Sequence, residues 1–185
     1  GLGDVYKRQY WYRDRLSDKE WQEHYGDKTI TINQSGNVID DSLLSDDEME
    51  NVKVNIIGIL QSDAIRKLYE DEDISNNSDL IYDAVDILGS SGLICFADDT
   101  NMYNYQLFQS FYRKYTDGGG RDYICVYRVN RDASVTEMTF VYDDSRIQMI
   151  FNTAKFENHD WKFIATGIRD LKDMKLTQKG YFIYT

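Results

Sequence analysis

The sequence predicts an α+β domain: about three helices packed on one face of a four- to five-stranded antiparallel meander sheet, with a short helix and a hairpin ahead of them. Two observations carry this. Between Ser45 and Gly120, apolar residues recur at helical spacing, and capping signals open the runs. After Gly120 the apolar period falls to two, and the segments are joined by connectors too short to link anything but antiparallel neighbours. Proline is absent from all 185 residues, so turns must come from Gly, Asn, Asp and Ser.

The elements follow in chain order. Residues 10–44 form a lead-in. Ser17–Glu20 ("SDKE") is a capping box, in which the Ser accepts from the N3 amide and the Glu returns the bond. It predicts a helix from about Asp18 to Tyr25, stopped by Gly26. "KTITINQSGNVID" predicts a hairpin, with Ile30 and Ile32 on one face and Val38 starting the return. "DDSLLSDDE" is an acidic connector. Residues 45–185 form the main domain.

Ser45–Glu48 ("SDDE") is a second capping box, with its acids at the favourable end of the helix dipole. Met49, Val52, Ile56, Ile59, Leu60, Ile65 and Leu68 predict one long helix, weakened slightly by Gly58. Ser78 predicts the cap of a shorter helix over Asp79–Leu88, with Gly89 as terminator. "LICFA" is a short buried strand. "NMYNYQLFQSFYRKYTDGGG" is a third helix whose aromatic face is Leu107, Phe108, Phe111, Tyr112 and Tyr115. Five strands are then expected: "RDYICVYRV", "SVTEMTFVYDD", "RIQMIFNTAKF", "WKFIATGIRDLKDMKLT" and "GYFIYT". The last has apolar residues at both parities, which fits a strand central in the sheet or covered on both sides.

The opening nine residues, "GLGDVYKRQ", resemble the translated read-through of a sequencing adaptor, of the kind found at the edges of metagenomic gene fragments. Residues 1–9 are therefore set apart from the fold, and a missing leader sequence carries no weight here.

Composition removes some function classes. A formal net charge of −11 repels a phosphate backbone, so nucleic acid is not an expected partner. No apolar run approaches the roughly 20 residues of a spanning helix. Cys95 and Cys125 stand outside any CxxC or Cys/His cluster, so no zinc site is expected. Both fall in predicted strands, where a disulfide or two buried thiols would fit, and buried thiols are the expected state.

Candidate chemistry dissolves on inspection. A calcium loop counted from Asp71 places Asn76 where Gly is needed and Tyr82 where Glu is needed. "DGGGR" lacks the P-loop spacing and follows a helix instead of opening one. His24 and His159 lie on a short helix and in the turn "ENHD", with no triad legible around them. No catalytic, cofactor-binding or metal-binding residue is assigned, and no cofactor is expected. Aromatic residues crowd the strands, as β-propensity alone would have it. A ligand-facing group of Tyr127, Tyr142 and Trp161 is the one aromatic cluster worth locating.

"NMYNYQLFQSFYRKYTDGG", "YICVYRVNRDASVTEMTFVYDDSRIQ" and "MKLTQKGYFIYT" together resemble an uncharacterised family of exported or lipoprotein-type proteins from low-GC Gram-positive gut bacteria (Firmicutes). In that family an N-Y-x-x-[FV]-x-x-F helix precedes a sheet, and a T-x-K-G-[YW]-F-I-Y strand follows. The resemblance covers about Ser45 to Thr185 and implies a domain without an assigned activity, at the cell surface, held to the membrane only through an N-terminal anchor. It also implies further chain beyond the closing strand.

The expected function is a noncatalytic extracytoplasmic domain, an interaction or scaffold module of a bacterial surface lipoprotein with a protein or glycan partner. Two other readings stay open. One is an enzyme acting on an extracellular glycan or polymer through paired carboxylates about 5–10 Å apart. The other is a small-ligand binder with an aromatic-lined pocket between helices and sheet.

Overall fold

The computed structural model describes residues 31–32, 42–70, 73–74, 76–98, 100–177 and 182–185. The expected helix at 18–25 and the return strand from Val38 lie outside the described residues.

The described elements are β1 (Thr31–Ile32), α1 (Asp46–Leu60), α2 (Asp63–Glu70), α3 (Leu80–Ser90), β2 (Cys95–Ala97), α4 (Tyr105–Thr116), β3 (Asp122–Val129), β4 (Val135–Tyr142), β5 (Ile147–Glu157), β6 (Asp160–Leu171), β7 (Met174–Leu176) and β8 (Phe182–Tyr184). The fold is α+β. Six strands form one sheet in the order β1-β6-β5-β4-β3-β2, and β7 and β8 pair separately. The meander β3–β6 is antiparallel throughout.

Local chemistry explains most boundaries. At the start of α1, the Glu48 amide donates to Ser45 Oγ at 3.2 Å and the Ser45 amide donates to Glu48 Oε2 at 2.9 Å, which closes the predicted capping box. The expected long helix is two helices. Apolar spacing lengthens to five between Leu60 and Ile65, and "SD" at Ser62–Asp63 is itself a helix-start signal. The Gln61 amide closes α1 onto Ile57 O, and the Arg66 amide opens α2 on Ser62 O. Trp161 Nε1 donates to Leu60 O at 3.1 Å and so satisfies a carbonyl at the end of α1.

The α3 helix begins after Asp79, one residue later than predicted, and Ser78 does not cap it; the Asp79 amide donates to Asn77 Oδ1 at 3.2 Å. Gly89 does not terminate α3, which runs on to Ser90. Its role is close approach. A β-carbon at Gly89 would lie 2.3 Å from the Tyr103 ring, and the Tyr103 hydroxyl donates to Asp86 one turn earlier. In "ENHD", Asn158 and His159 both have positive φ, 54° and 62°, the backbone of a type I′ hairpin turn. His159 thus serves the turn.

The short strand β2 pairs with β3 in parallel, Cys95 opposite Tyr127. Parallel neighbours need a crossover, and α4 is that crossover. The helix lies on the opposite side of the sheet from α1–α3. One face of the sheet gathers Val129, Val135 and Ala154 with Ile56, Leu60, Ile65, Leu68, Val85 and Leu88 from α1, α2 and α3. The other gathers Val126, Met138, Phe140, Met149 and Phe151 with Phe108 and Phe111 from α4 and with Met174, Phe182 and Tyr184 from the β7–β8 pair. The first face is covered by α1, α2 and α3; the aromatic helix, expected on that same face, covers the second because it is the crossover between two parallel strands.

The last predicted strand does not extend the meander. The chain leaves β6 after Leu171, the Lys172 amide donates to Thr185 O at 2.6 Å, and β7 pairs back onto β8. Phe182 is fully buried, with its ring centroid 4.5 Å from Phe108 and 5.1 Å from Phe140. These edge-on contacts tie the C-terminus to the middle of the sheet.

The two helical glycines should respond oppositely to alanine. Gly89→Ala drives a methyl into Tyr103 and should lower stability by about 1–3 kcal/mol. Gly58→Ala adds its methyl in open space on α1 and should raise stability by about 0.5–1 kcal/mol. Urea melts of both variants test this; a neutral Gly89→Ala would contradict the tight α3–Tyr103 contact.

Candidate functional site

Two features of the sheet carry chemistry: a buried polar strip and an open edge. The strip lies on the face covered by α1–α3. Glu137 is fully buried on β4. Thr139 Oγ1 donates to Glu137 Oε1, and Asn152 Nδ2 donates to Glu137 Oε2 at 3.1 Å. Thr166 Oγ1 donates to Asn152 Oδ1 at 3.1 Å, and Cys125 Sγ lies 3.4 Å from Thr139 Oγ1. Four adjacent strands therefore contribute one polar chain. Register places them together, since Glu137 faces Asn152 and Asn152 faces Thr166.

Burial pushes the Glu137 carboxyl up to about 7, against the hydrogen bonds from Thr139 and Asn152 that favour its charged form. Burial likewise pushes the Cys125 and Cys95 thiols up to about 12. Both cysteines are free, and a thiol held neutral is a poor nucleophile. These groups are tuned toward neutrality, as core residues are.

The open edge belongs to β3. The Tyr127 amide donates to Ile94 O at 2.8 Å, so the backbone groups of Tyr127 point away from β4. Strand alternation sends those of Cys125 and Tyr123 the same way. Yet β2 covers only Tyr127–Val129. Beside Asp122–Cys125 there is a groove of about 420 Å³. Leu107, Ser110, Phe111 and Lys114 of α4 wall one side, and Gly92, Leu93 and Ile94 wall the other. Leu107 and Tyr123 are 48% and 39% exposed at its rim. Lys114 Nζ lies 2.9 Å from Asp122 Oδ2, and the Tyr123 amide donates to Asp122 Oδ1 at 2.9 Å. The groove thus holds one carboxylate, already engaged.

The three aromatics considered from sequence do not form a cluster. Tyr127 lines the groove, but Tyr142 is on the opposite face of the sheet. Trp161 sits at the far end, stacked edge-on with Tyr69 at 4.6 Å and with Phe156 at 5.5 Å. Leu107, assigned to the buried face of its helix, is a rim residue. Sequence reading missed the groove because its defining feature is a strand shorter than its neighbour. The signal was present: "LICFA" is short, and the strand–helix–strand order calls for a parallel edge. No group of three or more His, Cys, Asp or Glu suited to a metal occurs among the described residues.

A family model described as "Family of unknown function (DUF6070)" matches residues 46–185. The chain belongs to the DUF6070 family. No curated protein and no solved structure matches it. The matched span opens with the first residue of α1 and closes with the chain, so the DUF6070 domain contains all four described helices and every described strand except β1.

Glu137 makes stability depend on pH. Its folded value lies above its unfolded one, so its contribution is complete below about 4.5 and is lost as pH rises through about 7. Chemical denaturation at pH 5 and pH 8 should show the protein weaker at pH 8 by up to roughly 3 kcal/mol from this group. Glu137→Gln should flatten that slope and raise stability at pH 8. An unchanged slope would show that Glu137 is not the group responsible.

Proposed function

We propose that this DUF6070 domain is a noncatalytic interaction module working outside the cytoplasm, as part of a surface lipoprotein. The observation that carries the reading is the groove beside β3. It combines exposed apolar rim residues with backbone groups that have no partner among the described residues, which is the chemistry of recognition. Two of the groups that line it, Cys125 and Tyr127, are both shifted by burial toward their protonated forms. Hydrolysis through two carboxylates would need a second acid beside Asp122, and Lys114 already holds that one. The extracytoplasmic placement rests on the sequence resemblance to exported lipoprotein-type proteins.

A photo-crosslinking residue at position 107, in the full chain expressed in the cells that make it, should yield a discrete protein adduct. The same residue at position 82, exposed on α3, should not. Adding Tyr123→Glu should remove the adduct, and protease added to intact cells should digest the protein. Release of sugar reducing ends from purified polysaccharides by the purified protein, with no adduct at 107, would overturn the module reading.

A further inference from the structure

We infer that the occupant of the groove is an extended polypeptide segment of a partner protein, added as a strand beside Asp122–Cys125; this rests on the interaction-module reading above. The argument begins with the existing ladder. The slot next to β3 is one continuous lane. Its far half is already filled by a parallel strand, β2, with Cys95, Phe96 and Ala97 opposite Tyr127, Arg128 and Val129. Its near half is empty among the described residues, and three backbone groups face it: Tyr123 C=O, Cys125 N–H and Cys125 C=O. The fourth, the Tyr123 amide, is capped by Asp122 Oδ1. A sugar or a small planar ligand does not match a row of donors and acceptors at strand spacing, whereas another backbone does.

The walls supply the side-chain specificity. Strand alternation places Ile124, Ile94 and Phe111 on the α4 side, and Cys125, Tyr127 and Leu93 on the α3 side. An added strand would therefore send alternate side chains into two apolar pockets, one on each side. A span of four residues is roughly 13 Å long at strand rise, which suits a lane bounded by Asp122 and by the start of β2. A second copy of this domain is the less fitting occupant. It would have to bring its own α4 and Gly92–Ile94 walls into the same narrow gap, whereas a lone extended segment needs only its own width. Lys114, held on Asp122, stands at the outer end of the lane.

The test uses the full chain and a displayed library of random linear dodecapeptides, followed by synthetic versions of the enriched sequences. Strand addition predicts three results. The Cys125 amide becomes protected from hydrogen exchange on peptide binding. Methylating the peptide nitrogen that faces β3 weakens binding about tenfold or more, whereas methylating the adjacent, outward-facing nitrogen changes it less than about twofold. Leu107→Glu abolishes binding without lowering the melting temperature. If a partner crosslinks at position 107 but Cys125 stays unprotected and N-methylation is neutral at every position, the module reading stands and strand addition is overturned. If no peptide enriches and nothing crosslinks, both fall. If the groove becomes protected only as the protein dimerises, seen by light scattering across concentrations, the occupant is a second copy and the inference is wrong.

Discussion

The sheet of this protein is apolar at both parities, and that constraint organises everything else. On β3 to β5, odd and even positions alike are buried, from Val126 and Val129 to Phe140 and Val141 to Met149 and Ile150. Such a sheet cannot leave a face to solvent. It needs two covers. The helices α1, α2 and α3 form one. The crossover helix α4 and the β7–β8 pair form the other, locked by the Phe108, Phe140 and Phe182 rings. The chain supplies the first cover before the sheet exists and the second partly after it, so the C-terminal residues are structural keystones and not a tail.

The face under α1–α3 carries a buried polar strip. Glu137, Thr139, Asn152 and Thr166 satisfy one another across three strands, in a register that a slip of one residue would destroy. A slip would turn Glu137 toward the aromatic face and away from the Asn152 amide that donates to it. The strip therefore fixes pairing at the cost of carrying a carboxyl whose ionisation opposes burial.

Much of this was legible in the sequence. The capping box at Ser45, the change of period after Gly120 and the four meander strands follow from local rules, because caps and alternation are set by neighbours in the chain. Three features were not. The division of α1 from α2 hides in a five-residue apolar gap that still looks helical over a longer window. The separation of β7 from β6 has no strong breaker, since "LKDMKLT" alternates without interruption and the change is decided by the tertiary docking of Phe182. The groove is invisible for a different reason: it consists of what β2 does not reach. Leu107 illustrates the point, since it shares the helical spacing of Phe108 and Phe111 yet lies over the empty half of the lane.

The most direct measurement is residue-resolved amide hydrogen exchange on the free protein along β3. An open lane predicts that the Cys125 amide exchanges much faster than those of Ile124 and Val126, which point into the ladder with β4, and faster than that of Tyr127, which is bonded to Ile94. Equal protection at Cys125 and its neighbours would mean that the edge is already closed, and the account of this domain as a strand-accepting module would be contradicted.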